Sequence, residues 1–361
     1  MSGGFGKDMQ KSLIRVAIGY SENLWHEKFA DALKTRIEQG YPFDFDVVHL
    51  DHHDWLDVIQ PYDVVLWKPT YMGPRSVSYF KEKIYFLEKY LHKLVLPNFA
   101  TIWTFESKIA QSYLFHAKQV PIPETFVSFR LGDSLSGLQN ARYPLVFKKS
   151  FGAASKNVRI MRNRSEAEKI VRMAFNREVW DSLLEHHSSK LVRVMRNIGK
   201  PWFWARLRDK ILNEEIYGQA YWQEFIPGNE ADLRITVVGN CYAYGFWRLN
   251  RPNDFRASGS GRLDFQREIP VDLLRYCMNL SGELDFDSMA YDIIFKGGQF
   301  VVTEISYGYL DTAPNRSRGY YELDADDITL HEGHFWPEEL WVKWLLKRAG
   351  LELLGQKSLG K

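Results

Sequence analysis

The stretch "YPLVFKKSFGAASKN" (143–157) is an apolar run that ends in lysines and continues into small residues. Lys148 ends what reads as a buried strand, and the small residues after it leave backbone amides accessible. Exposed amides together with a lysine point charge bind phosphate oxygens well. The G-x-x-x-x-G-K-[ST] pattern of a phosphate-binding P-loop is absent, so this stretch alone is weak evidence for a phosphate site.

A second stretch, "YWQEFIPGNEADLR" (221–234), is an apolar strand that ends in a carboxylate. A proline-glycine turn follows, and acidic residues begin the next strand. A strand that connects two lobes offers backbone groups that can pair with the edge of an adenine.

The third feature is a set of oxygen-bearing side chains on two adjacent strands. Asp292 lies in "YDIIF", and Glu304 and Ser306 lie in "VVTEIS". Glu304 and Ser306 are two positions apart and point to one face of their strand. A Gly-Gly hairpin brings that strand against the one bearing Asp292, so the three oxygens can converge. Magnesium prefers hard oxygen ligands of this kind.

The N-terminal third of the chain reads as alternating strands and helices. The strand "LIRVAIG" is followed by a helical pattern that stops at Gly40, then by the short apolar strands "FDVVHL", "YDVVLWK" and "LVLPN" with a further helix between the last two. This order predicts a small open parallel sheet over roughly residues 12–100. No G-x-G-x-x-G follows the first strand, so a dinucleotide site there is unsupported.

The remainder reads as α+β with antiparallel sheets. A helix with a threonine cap runs through "TFESKIAQSYLFHAKQ" and ends at the prolines of "VPIPET"; strands dominate beyond it, with hairpins at Gly-Asn and Gly-Gly. We therefore predict an α/β domain at 1–100, a small lobe at 101–225 with a basic helical insertion at 165–215, and a larger lobe with a helical tail at 226–361.

Composition narrows the class of protein. The formal net charge is only +2, which implies no general affinity for nucleic acid. There are only two cysteines, and neither an N-terminal signal peptide nor an apolar run of membrane-spanning length is recognisable, so we expect a cytoplasmic protein. The basic aromatic segment 190–210 fits either an anionic surface contact or a solvated charged face; we favour the solvated face.

Taken in order, these features resemble the ATP-grasp superfamily, and in particular its branch with glutathione synthetase and the ligases that add glutamate to ribosomal protein. The resemblance covers roughly residues 100–310, and the α/β unit before it looks like the family's N-terminal domain. It implies ATP and Mg²⁺ as cofactors, with the nucleotide bound between two antiparallel-sheet lobes.

The resemblance also assigns roles to individual residues. It places Lys108 and Lys148 on nucleotide phosphates, Glu224 and Phe225 at the adenine hinge, Asp232 near the ribose, Arg248 and Arg256 around the transferred phosphate and acyl group, and Asp292, Glu304 and Ser306 on magnesium. Two positions depart from the family pattern. Ser306 stands where an E-x-N asparagine is usual, which implies a more weakly held second metal, and Ser258 also replaces an asparagine.

The function that the resemblance implies is an ATP-dependent carboxylate-amine ligase, which needs no side-chain nucleophile. Its partners would be an amine and a carboxylate from a small molecule, peptide or glycan, and Arg316 and Arg318 would suit an acidic substrate. Two alternatives remain open: a nucleotide-binding scaffold with decayed activity, and a kinase that phosphorylates a hydroxyl. The sequence does not determine the oligomeric state, and a homodimer is one option.

Overall fold

The computed structural model describes residues 13–69, 74–150, 158–175, 218–325 and 327–351. Within them, three sheets follow one another along the chain. The basic segment 190–210 and most of the small-residue loop, including Lys156, lie outside the described residues. The division at residues 100 and 225 therefore stays a prediction about domains, whereas the predicted order of one parallel and two antiparallel sheets is confirmed.

The first sheet is parallel, with strand order β2-β1-β3-β4. Its elements are β1 (Ile14–Gly19), α1 (Trp25–Glu38), β2 (Phe43–Val48), α2 (Trp55–Ile59), β3 (Val64–Leu66), α3 (Pro74–Lys89) and β4 (Leu94–Leu96). Alternate residues of β1 enter different cores, as period-two strands require. Val16 and Ile18 pack with α1, and Ala17 packs with α3. Both faces of the sheet are thus covered.

The second sheet has the antiparallel order β5-β8-β6-β7. Its elements, with two helices that precede them, are α4 (Phe99–Trp103), α5 (Lys108–Ala117), β5 (Thr125–Ser128), α6 (Leu131–Gln139), β6 (Leu145–Lys148), β7 (Val158–Met161), α7 (Arg164–Ala174) and β8 (Ala220–Glu224). Apolar residues of α6 and α7 pack on one face of this sheet. Lys148 is the last residue of β6, as the sequence predicts.

The third sheet is antiparallel with the order β13-β12-β9-β10-β14-β15, and β11 pairs beside β10. Its elements are β9 (Ala231–Val238), β10 (Tyr242–Leu249), β11 (Leu263–Asp264), α8 (Val271–Glu283), β12 (Ser288–Lys296), β13 (Gln299–Ser306), β14 (Gly319–Asp324), β15 (Asp327–Glu332) and α9 (Pro337–Arg348). The two-residue turn between β12 and β13 has positive φ at both Gly297 and Gly298, which fits a type I′ hairpin.

Helix α5 begins one turn later than the sequence suggests. The threonine cap was wrong: Ser107 is the N-cap and accepts a hydrogen bond from the Ala110 N–H, while Thr104 lies upstream. The Gln111 side chain donates to the Ile305 carbonyl and accepts from its N–H, which fixes α5 against β13. This contact holds Lys108, the first residue of the helix, beside the end of β13. No helix in the described part of the chain is both long and apolar enough to cross a membrane.

Candidate active site

Two cavities meet on one face of the third sheet. The first, about 150 Å³, lies between the second and third sheets and is lined by Lys148, Glu224, Phe225 and Asp232 among others. The second, about 350 Å³, extends toward the chain after β13 and is lined by Lys108, Ser306 and Tyr309 among others. Five residues line both cavities: Val158, Arg248, Ser258, Asp292 and Glu304. We call the contact region formed by Arg248, Asp292 and Glu304 the junction.

Cross-strand register creates an ion-pair network at the junction. Arg248 on β10 is directly opposite Asp232 on β9, and Arg234 on β9 is opposite Asp292 on β12. Arg248 donates two hydrogen bonds of 2.6 Å to Asp232, and Arg234 donates two of 2.8 and 2.9 Å to Asp292. Arg248 also lies 2.8 Å from Asp292, so this guanidinium is shared between two carboxylates. Such bidentate pairs are short and fix the orientation of both partners.

The pKa values of Asp232 and Asp292 are shifted in opposite directions within this network. Burial opposes the charge on Asp292, but the guanidinium groups of Arg234 and Arg248 hold its pKa well below the usual range. Burial raises the pKa of Asp232, the negative charge of Asp292 adds to the rise, and attraction to Arg248 and Arg234 offsets it only in part. The pKa of Arg248 is raised despite burial, because both carboxylates attract it. Asp292 is therefore the carboxylate of this pair that remains ionised most firmly.

Glu304 brings the candidate metal ligands and helix α5 together. It is opposite Asp292 in the β12–β13 pairing, at a bulge that follows Asp292. The Lys108 ammonium lies 2.9 Å from a Glu304 carboxylate oxygen. Burial opposes the charge on Lys108, but attraction to Glu304 and Glu106 outweighs it and raises the pKa. The Ser306 hydroxyl accepts a hydrogen bond from the Gly308 N–H and lines the second cavity.

The two adjacent lysines at the end of β6 serve different cavities. Lys148 lines the first cavity, and its ammonium donates to the Thr303 carbonyl at 3.4 Å. Burial lowers the pKa of Lys148 to about 8, and the positive charge of Lys108 adds to this effect. Lys149 lines the second cavity. Successive residues of a strand point to opposite sides, so one strand end supplies a cation to each cavity.

The end of β8 and the segment after it form one wall of the first cavity. The Glu224 carboxylate accepts two hydrogen bonds of 2.7 Å from Lys296 and one of 3.0 Å from the Glu124 N–H. Burial raises its pKa, but these bonds outweigh burial and lower it overall. The Phe225 ring meets the Phe255 ring edge to face at a centroid distance of 5.6 Å. The wall thus offers an apolar surface and a fixed carboxylate.

The loop after β10 closes the same cavity from the other side. Arg256 lines the first cavity and is held by Asp254 through hydrogen bonds of 2.6 to 3.0 Å. The side-chain hydrogen bond to Asp254 raises the pKa of Arg256. Ser258, two residues further on, reaches both cavities.

All ten site residues predicted from the sequence line one or both cavities: Lys108, Lys148, Glu224, Phe225, Asp232, Arg248, Arg256, Asp292, Glu304 and Ser306. Their individual roles stay predictions. Lys108 lines the second cavity and contacts Glu304, whereas Lys148 lines the first. These two lysines therefore line different cavities. Arg234 was missed, although one signal was available: it lies two residues after Asp232 and so faces the same side of β9.

A separate surface group does not form a comparable site. Ligand atoms of His49, Asp51 and His52 lie within 4.8 Å of one another near the carboxyl end of β2. However, the two imidazole rings stack in parallel, with centroids 4.5 Å apart and planes 4° from parallel. In-plane lone pairs of parallel rings cannot converge on one ion, so we assign no metal to this arrangement.

Comparisons with known proteins agree on the fold. No protein-family model matches the chain. The chain is 24% identical over 222 residues to the alpha-aminoadipate–LysW ligase LysX of Saccharolobus solfataricus, covering 61% of this chain and 67% of that relative.

Two solved structures are similar at low sequence identity. The ATP-grasp ligase PsnB with a minimal precursor has a TM-score of 0.52 at 12% identity, over 85% of this chain and 95% of PsnB. The N5-carboxyaminoimidazole synthetase of Staphylococcus aureus, complexed with ADP, has a TM-score of 0.51 at 10% identity, over 86% and 74% of the two chains. The chain has the ATP-grasp fold, which confirms the fold that the resemblance in the sequence implies.

Proposed function

We propose that this ATP-grasp protein is an ATP- and magnesium-dependent ligase that joins a carboxylate to an amine through an acyl phosphate. The observation that carries the proposal is the junction. The first cavity, which contains Lys148 as a candidate phosphate ligand, meets the second cavity, which has room for another substrate, at Arg248, Asp292 and Glu304. A carboxylate in the second cavity could reach the terminal phosphate of a nucleotide in the first at that point. The ligase relatives support the same reaction class.

The donor set at the junction fits magnesium. Asp292, Glu304 and Ser306 supply two carboxylates and a hydroxyl, the hard oxygen donors that this cation prefers. The charges at and around the junction balance before a nucleotide enters: four anions (Glu106, Asp232, Asp292, Glu304) stand against four cations (Lys108, Lys148, Arg234, Arg248). Bound magnesium would supply charge neutralisation at the transferred phosphate.

Each part of the site then has a task in the first half-reaction. Lys148 binds nucleotide phosphate, Glu224 and Phe225 hold the adenine, and Asp232 lies near the ribose. The substrate carboxylate attacks the γ-phosphorus of ATP, the bond to the bridging oxygen breaks, and ADP leaves. Arg248 orients the carboxylate and the transferred phosphate, because Asp232 and Asp292 fix its guanidinium.

In the second half-reaction the amine attacks the acyl carbon, phosphate leaves, and the amine loses a proton. Arg248 and Arg256 stabilise the tetrahedral oxyanion and the departing phosphate. No enzyme nucleophile takes part. A cytoplasmic location belongs to the same proposal, and both cysteines, Cys241 and Cys277, are buried free thiols.

The test is ADP release by purified protein with ATP, magnesium and panels of carboxylates, with and without an amine. Hydroxylamine serves as a general amine, because it converts acyl phosphates into hydroxamates that iron(III) detects. We expect ADP and hydroxamate in equal amounts. ADP release with an alcohol alone would indicate a kinase, and ATP binding without turnover would indicate a scaffold.

A further inference from the structure

The lining of the second cavity changes from charged to uncharged along the third sheet. Arg248 lines the cavity at the junction, Arg234 lies opposite Phe246 in the β9–β10 pairing, and Thr236 follows Arg234 two residues further along β9. Register therefore places cations at one end of the cavity and an uncharged surface at the other.

The uncharged end combines Phe246 of β10 with residues from outside β9 and β10. Its lining consists of Phe246, Leu263, Tyr309, Leu310, Ala313 and Pro314. Phe246 is buried and packs on Phe265 at a centroid distance of 5.3 Å. Leu310 is 65% exposed, which makes it an apolar side chain at the mouth. The charged residues that line the same cavity are Glu106, Lys108, Lys149, Arg234, Arg248, Asp292 and Glu304.

The two arginines that the sequence offered for an acidic substrate lie elsewhere. The Arg316 guanidinium stacks over the Phe265 ring at 5.2 Å, and Arg318 lies 3.5 Å from Glu332 on the surface. Neither is among the residues described as lining the cavity. A second carboxylate at the far end of the substrate would lie against the apolar residues rather than beside the cations of the cavity, and burying a charge without a partner is costly.

We propose that the second cavity takes a monocarboxylate with an apolar body, its carboxylate at the junction and its body against Phe246, Leu263 and Leu310. A volume of about 350 Å³ suits a small molecule or one apolar side chain of a larger substrate. This inference rests on the proposed ligase function for the fate of the carboxylate but not for its binding.

Two matched probes test it: 3-phenylpropionate and 3-(4-carboxyphenyl)propionate, which differ by one carboxylate at the far end. With wild-type protein, ATP, magnesium and hydroxylamine, we expect kcat/KM for 3-phenylpropionate to exceed that of the diacid at least about tenfold, since an unpaired buried charge is rejected strongly. Leu310→Arg should shift this ratio toward the diacid by at least about tenfold. Leu56→Arg, at an exposed leucine on α2, should leave the ratio unchanged.

Binding measured by NMR on protein loaded with magnesium and a non-hydrolysable ATP analogue separates the inference from the reaction. Selective binding of 3-phenylpropionate without hydroxamate formation would support the apolar cavity and contradict the ligase. Equal or tighter binding of the diacid, or binding of neither probe, would overturn the inference. Hydroxamate from the diacid alone would overturn the inference and leave the ligase standing.

Discussion

Two of the buried ion-pair regions among the described residues differ in kind. At the junction, arginines meet carboxylates at 2.6 to 2.9 Å, and attraction holds the pKa of Asp292 low and that of Arg248 high. Between the first sheet and α9, Lys68 and Glu338 are 3.6 Å apart. Burial lowers the pKa of Lys68 to about 8 and raises that of Glu338, so desolvation there exceeds attraction.

Surroundings explain the difference. The Lys68 ammonium lies over the Trp25 ring at 3.5 Å and the Tyr309 ring at 4.1 Å, and both charged side chains are almost fully buried. At the junction, Asp292 and Glu304 instead line both cavities, and Asp292 has a bidentate arginine partner. We infer that the Lys68–Glu338 pair joins α9 to the parallel sheet. The charged side chains of the junction instead line the cavities in which we propose that ligands bind.

Glu304→Gln should have the largest effect, and on turnover. The amide keeps an oxygen acceptor for Lys108 but loses the charge that attracts a metal. We expect magnesium-dependent ADP release to fall at least about 1,000-fold, equivalent to about 4 kcal/mol of transition-state stabilisation.

Glu332→Gln is the matched control for Glu304→Gln, because Glu332 is exposed and pairs only weakly with Arg318. Its ADP release and melting temperature should equal those of the wild type. Near-normal turnover by folded Glu304→Gln would remove Glu304 from the metal site.

Lys68→Met should have the opposite effect to Glu304→Gln: the protein should lose much of its stability, while the folded variant keeps its turnover. Removing one partner of a buried pair leaves the other uncompensated, so we expect the free energy of unfolding in urea to fall by about 3 kcal/mol. Lys68→Met/Glu338→Leu should recover most of this loss, because apolar residues can replace a buried pair.

The pH dependence of Lys68→Met has a definite sign. From pH 8 to 10.5, unfolded Lys68 keeps a proton that folded Lys68 has lost, so the unfolded state binds more protons. The free energy of unfolding of the wild type should therefore rise relative to Lys68→Met across that window. A constant difference between the two proteins would contradict the lowered pKa.

The comparison also shows what local pattern can and cannot predict. Alternation and turn residues sufficed for the β12–β13 hairpin, and hence for Asp292 opposite Glu304, because both are local. The Lys108–Glu304 contact joins residues 196 positions apart, and Lys68 meets Glu338 across 270 positions. Partner choice at such distances depends on how α5 and α9 dock, which periodicity does not specify. The same reason explains why Arg316 and Arg318 were placed near the substrate by sequence position alone.

Lys148→Ala should weaken ATP binding in the first cavity more than it weakens carboxylate binding in the second. A hydrogen bond to a charged group contributes about 1.5 to 3 kcal/mol, so we expect the calorimetric ATP affinity to fall up to about 100-fold. Lys149→Ala is the neighbouring control: it should change ATP affinity less than about threefold and raise KM for the carboxylate. Similar ATP affinities for the two variants would contradict the division of the lysines between cavities.

Lys296→Gln should have the smallest effect, and it tests whether an exposed pair can matter at this site. Lys296 is 55% exposed and holds both oxygens of Glu224 at the wall of the first cavity. Exposed pairs contribute about 0 to 1 kcal/mol, so ATP affinity should fall at most about fivefold. Salt screens such a pair, and the wild type and variant should therefore converge as ionic strength rises to 1 M, where the screening length is about 3 Å. Calorimetric titration with ATP across a salt series measures this. A loss of ATP affinity as large as that of Lys148→Ala, or a loss that persists in high salt, would contradict the expectation. Either result would mean that Lys296 contacts the nucleotide directly rather than through Glu224.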